Sequence, residues 1–213
     1  MGRLAPHTLV SLQSPDVLLT SGPLPAWVTD MLAATPVVIV RRGPQTTTIP
    51  VGIRGYQKSQ RFAAAIMPTD WQTPVTPAMA LDRLPELTAA RRQLPAFQKL
   101  ARVQSLLSAY DWGVGGSLQF ELATGLPMVN PNSDLDIIMQ RPAPMSPAQA
   151  LQLIERLKVI AGTHADIQVV HGQLGFSLEE YANQRASQIM MKTAHGPILV
   201  TDPWHAEERD CGG

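Results

Sequence analysis

Cysteine, charge and long apolar runs are all scarce in this sequence. The only cysteine, Cys211, stands close to the C-terminus, so neither an internal disulfide nor a cysteine-built zinc site can form within the chain. That usage suits a reducing compartment, and the cytoplasm is the expected location. Charged residues make up 16% of the 213, below the roughly 25% of an ordinary globular chain. Seventeen basic side chains balance seventeen acidic ones, so no overall field draws the protein to nucleic acid or to an anionic membrane, and neither is an expected partner. No stretch approaches the ~20 apolar residues of a membrane span. The opening Met1-Gly2-Arg3-Leu4-Ala5-Pro6 has no signal-peptide core, and Pro6 spoils a myristoylation pattern. What is abundant is hydrophobicity, at 45%, in a chain long enough for a sizeable core or for two small domains.

Two halves of different character follow. Residues 1–84 are β-rich and punctuated by proline. Pro36–Val40 reads as a buried strand, Arg41-Arg42-Gly43-Pro44 as a turn, Thr46–Ile49 as a β-branched run, and Pro50–Gly55 as its continuation in an interrupted strand or bulge. Short helices are expected over 26–33 and 59–66, and Pro68, Pro74, Pro77 and Pro85 suggest a linker. Residues 85–213 carry helical periodicity. Pro95 starts a helix with Leu100, Val103, Leu106 and Leu107 inward. Ser146-Pro147-Ala148-Gln149 is a capping box opening a helix that turns Leu153, Ile154, Leu157 and Ile160 to the core. A strand over 111–115 leads to a helix from Ser117 closed by Gly125, and a last hairpin turns near His195-Gly196-Pro197.

Asp134 and Asp136 are the most informative residues. One residue apart at the start of the apolar run Leu135–Met139, they fall on one face of a strand, because strand side chains alternate. Carboxylates held that close repel unless a cation lies between them, and oxygen ligands of this kind suit Mg²⁺. A solvated strand end is the bland alternative. Gly116-Ser117 precedes the pair, where a glycine admits a phosphate to the backbone and helix N–H groups and a hydroxyl donate to it. Asp166 follows, leading the next strand. If the two strands are neighbours, three carboxylates meet at one edge, as metal-assisted phosphoryl or nucleotidyl transfer requires.

The order Gly-Ser, Asp-x-Asp and third Asp resembles the nucleotidyltransferase superfamily related to DNA polymerase β. More narrowly, Trp112–Ser117, Leu122–Gly125, Ser133–Asp136, Asp202-Pro203-Trp204 and Ile49–Gly55 resemble the phosphoribosyl-dephospho-CoA transferases of malonate decarboxylase, also called malonate holo-acyl-carrier-protein synthases. The resemblance implies an α+β fold: a polymerase-β-like mixed sheet with flanking helices, plus a smaller β-rich N-terminal domain. It implies an enzyme that moves 2′-(5″-phosphoribosyl)-3′-dephospho-CoA from its triphosphoribosyl donor to a serine of the apo acyl-carrier subunit, releasing pyrophosphate. Asp134, Asp136 and Asp166 would be catalytic and would hold Mg²⁺, and Gly116 and Ser117 would hold the departing phosphates. Arg41, Arg42, Arg54 and Lys58 are candidate clamps on donor phosphates, since guanidinium forks suit phosphate oxygens; a solvated surface explains them as well. Two alternatives stay open: nucleotidyl transfer to another hydroxyl, the citrate lyase carrier included, and a non-catalytic module binding a carrier or nucleotide.

Overall fold

The computed structural model describes residues 3–162 and 164–207; Cys211 lies outside them. These residues form two compact units that divide between Thr76 and Pro77, ahead of the 84/85 division suggested by composition.

The N-terminal unit is one antiparallel five-stranded sheet with a single α-helix. Its strands are β1 (Leu9–Leu12), β2 (Val37–Val40), β3 (Ile49–Arg54), β4 (Arg61–Ile66) and β5 (Trp71–Val75), in the order β4-β3-β2-β1-β5, and α1 (Ala26–Ala34) follows β1. Val10, Val38 and Val51 are fully buried and form the centre of this layer. Two expectations are corrected here. Residues 59–66 are not a helix: Arg61–Ile66 pairs along its whole length with Ile49–Arg54, and this long-range ladder overrides local sequence preference. The proline-rich stretch holds the boundary between the units but is not an irregular linker, because Trp71–Val75 is an edge strand on β1, where a sheet tolerates Pro74. β3 runs unbroken, and the register shift lies instead between Val10 and Leu12 on β1.

The C-terminal unit is a mixed six-stranded sheet with helices. After α2 (Pro77–Leu81), α3 (Ala89–Arg92) and α4 (Pro95–Leu107) come β6 (Trp112–Val114), α5 (Gly116–Thr124), β7 (Leu135–Gln140) and α6 (Pro147–Ala161). Then follow β8 (Ala165–His171), β9 (Leu174–Ser177), α7 (Leu178–Asn183), β10 (Ile189–Thr193) and β11 (Gly196–Val200). The strand order is β11-β10-β9-β8-β7-β6. Only β7 and β8 are parallel, and α6 is the crossover such a pair demands. The chain is therefore α+β, with a mixed sheet and a separate antiparallel one.

Local signals explain the element ends. Ser146 and Gln149 complete the capping box, and Gly162 closes α6 in the left-handed region at φ 67°. Ile160 is corrected: it is 37% exposed, while Ala150, Leu153, Ile154, Leu157 and Ala161 are buried. At 100° per residue Ile160 lies on the flank of that stripe. α2 lies so close to β6 that a Cβ on Gly113 would collide with the Pro77 backbone. Trp204 meets Phe176 and Tyr181 edge-on at 5.1 and 5.6 Å, anchoring the segment after β11. No helix among the described residues is long and apolar enough to cross a membrane.

Candidate active site

The parallel pairing of β7 with β8 sets Asp136 directly opposite Asp166, one step after Leu135 opposite Ala165. Neighbouring residues in register point to the same face of a sheet, so the two carboxylates share a face at the N-terminal ends of the strands. Asp134, two residues before Asp136, precedes β7 and is exposed; Asp166 is exposed as well, and Asp136 is half-buried. Among the described residues no group of three or more His, Cys, Asp or Glu side chains forms a ready metal cage. Mg²⁺ does not need one, since it is commonly held by one or two carboxylates together with substrate phosphates and water. The acceptor-only oxygens of Asp134 and Asp136 fit that role.

Gly116 is fixed by the same carboxylate. It stands at φ 62°, and a Cβ built on it would overlap Oδ2 of Asp136. Only glycine satisfies both the left-handed backbone and that approach. The Gly115 N–H donates to the Asp136 backbone carbonyl at 3.0 Å, which ties the start of α5 to β7. The first intrahelical bond of α5 runs from the Gln119 N–H to the Gly115 carbonyl. The N–H groups of residues 116–118 therefore precede the helical ladder and point out of its positive end. Ser117 is only 7% exposed. Asp136, Asp166 and the N-terminal end of α5 thus lie at one end of the sheet.

An ion pair between a buried carboxylate and a part-exposed arginine supports this region, and sequence reading missed it. Arg91 on α3 grips Glu121 on α5 in a fork, Nε donating to Oε1 at 2.6 Å and Nη2 to Oε2 at 2.7 Å. Arg91 Nη2 also donates to the Val129 carbonyl at 2.6 Å, while the Val129 N–H donates to Glu121 Oε2 at 2.7 Å. Glu121 is 2% exposed. Its hydrogen bond raises the Arg91 pKa above the usual arginine value. The Gly-Ser helix and the loop leading to Asp134 are thereby locked together. No local pattern signals the partnership, since thirty residues separate the two ions. Beside Asp166, His164 Nε2 lies 3.2 Å from Glu179 Oε2, a second contact that the sequence did not announce.

The basic candidates all belong to the N-terminal unit. Arg41 and Lys58 are exposed and Arg54 is half-buried, opposite Arg61 in the β3–β4 ladder. Arg42 differs from them. Its Nε and Nη2 are buried with no hydrogen-bond partner among the described residues, and burial lowers its pKa to about 10. Those two atoms form the side-on fork that donates to an oxyanion in bidentate fashion.

Comparison with known proteins agrees with this division. Residues 80–203 match the phosphoribosyl-dephospho-CoA transferase MdcG C-terminal domain, and residues 5–77 match the corresponding N-terminal domain. A phosphoribosyl-dephospho-CoA transferase of Pseudomonas syringae pv. tomato is 38% identical over 86% of each chain. One from Pseudomonas fluorescens is 33% identical over 98% of this chain and 97% of its own. A third, from Klebsiella pneumoniae, is 32% identical over 95% and 97%. No solved structure matches significantly. With both compact units matched and these relatives aligned over nearly their whole lengths, the chain belongs to the phosphoribosyl-dephospho-CoA transferase family and is a transferase.

Proposed function

We propose that the enzyme transfers 2′-(5″-phosphoribosyl)-3′-dephospho-CoA from its triphosphoribosyl donor to a serine of the apo acyl-carrier subunit of malonate decarboxylase, and that its C-terminal unit is a polymerase-β-like nucleotidyltransferase fold. The observation that carries this reading is the Asp136–Asp166 register pair, with Gly116 in contact with the Asp136 carboxylate. Asp134 and Asp136 would hold Mg²⁺, with Asp166 beside them. When bound there, Mg²⁺ supplies neutralising charge to the triphosphate and draws electron density from its α-phosphorus.

The residues of the chain do the rest. The N–H groups at the start of α5 and the Ser117 hydroxyl orient the β- and γ-phosphates. The acceptor serine Oγ attacks the α-phosphorus while its proton passes to Asp166. The bond from the α-phosphorus to the bridging oxygen of the β-phosphate breaks, a phosphodiester forms, and pyrophosphate leaves. In the N-terminal unit, Arg42 is the strongest of the four basic candidates for holding a donor phosphate, with Arg41, Arg54 and Lys58 around it in sequence. The enzyme, triphosphoribosyl-dephospho-CoA, Mg²⁺ and apo carrier subunit together should raise the carrier's mass by the prosthetic group, as read by mass spectrometry. Neither ATP, CTP, GTP nor UTP should replace the donor; efficient labelling of a hydroxyl by one of them would overturn the reading.

A further inference from the structure

The opposite end of β7 opens on a cleft of about 530 Å³, within the usual range for a small-molecule site. Gln140 and Arg141 leave β7 into it, Gln152 and Arg156 line it from α6, and Tyr110 and Asp111 approach from the start of β6. Arg141 is the unusual residue. Its backbone stands at φ 43°, a left-handed conformation that glycine or asparagine adopts more readily. Pro142 follows it, and a residue before proline is pushed towards extended geometry. The Arg141 N–H donates to the Val170 carbonyl at 2.9 Å, which holds the backbone in place. Neither guanidinium, of Arg141 or Arg156, has a hydrogen-bond or ion-pair partner among the described residues. An arginine therefore occupies a position whose backbone disfavours it, and its exposed side chain makes no polar contact among the described residues in return. Strain of this kind concentrates at ligand sites.

Two arginine forks and three glutamine amides, of Gln140, Gln149 and Gln152, set against the one carboxylate of Asp111, favour an oxyanion. We propose that this cleft binds the diphosphate arm of dephospho-CoA and serves as a specificity subsite for the donor. The inference rests on the donor proposed above. From Asp136 to Gln140 the strand advances roughly 13 Å. In that donor two ribose rings separate the reacting phosphate from the CoA diphosphate, so one ligand spans both ends of β7.

The test is calorimetric titration of the full chain with dephospho-CoA and, separately, with inorganic pyrophosphate. Dephospho-CoA should bind, and a variant carrying both Arg141→Gln and Arg156→Gln should bind it about tenfold more weakly or worse. In the transfer assay the same variant should raise KM for the donor by a similar factor while kcat stays within about twofold. Arg141→Gly should lose affinity yet melt no lower than the wild type, because the strain is removed. The proposal is overturned if dephospho-CoA does not bind, if the double variant binds it unchanged, if pyrophosphate alone binds as tightly, or if Arg141→Gly melts lower. Arginine-dependent binding of dephospho-CoA without any transfer to the carrier would leave the cleft standing and refute the proposed reaction instead.

Discussion

Arg91 and Arg42 are part-buried arginines, one in each unit, and their guanidinium groups have opposite fates. Arg91 makes three hydrogen bonds, two of them to a carboxylate that is itself bonded to the chain, and its pKa rises. Arg42 has a buried, unpartnered fork among the described residues, and its pKa falls to about 10. A guanidinium satisfied inside the protein belongs to the architecture; one kept from both water and partners is suited to a ligand that arrives later. The same residue type thus marks scaffold in one unit and a candidate ligand contact in the other.

The comparison breaks most visibly at the satisfied pair. Glu121→Gln removes the negative charge that two Arg91 hydrogen bonds reach; because the Arg91 side chain stays 28% exposed, the enzyme should be destabilised by about 2 kcal/mol. That corresponds to a fall in melting temperature of about 6 °C, readable by scanning calorimetry. A loss near zero would mean that Arg91 and Glu121 do not organise the Gly-Ser helix. Arg42→Met should act in the reverse sense. Stability should hold or improve by about 1 kcal/mol, because an uncompensated buried cation is removed. KM for the donor should rise about tenfold, as expected when a charged hydrogen bond is lost. Destabilisation like that of Glu121→Gln would make Arg42 structural. Arg41→Ala, its exposed neighbour, supplies the smallest effect: a stability change within about 0.5 kcal/mol, and a KM shift smaller than that of Arg42→Met.

How far these roles could be read from the sequence depended on how local each signal was. Caps were legible because Ser146 and Gln149 satisfy each other within one turn, and Gly125 and Gly162 end their helices as left-handed caps. Alternation predicts Asp134 and Asp136 on one strand face, but β7 begins at Leu135, so only Asp136 lies on that strand. The neighbouring placement of β7 and β8 was stated as a condition, and the Asp136–Asp166 pairing satisfies it. Residues 59–66 were misread because their strand depends on a ladder to β3. Pro74 disguised an edge strand as a linker. Arg91–Glu121 and His164–Glu179 join distant segments and carry no spacing signature. Nothing in the Arg41-Arg42 dipeptide distinguishes the buried side chain from the exposed one.

The central claim is that the carboxylates at the N-terminal ends of β7 and β8 perform the transfer. The direct measurement is the rate at which the apo acyl-carrier subunit gains mass with wild-type enzyme and with Asp136→Asn, a near-isosteric change, each supplied with donor and Mg²⁺ and each shown to be folded by circular dichroism. Asp136→Asn should slow labelling about 10³-fold or more, the scale of several kcal/mol of transition-state stabilisation. A folded Asp136→Asn enzyme that labels the carrier at the wild-type rate would contradict it.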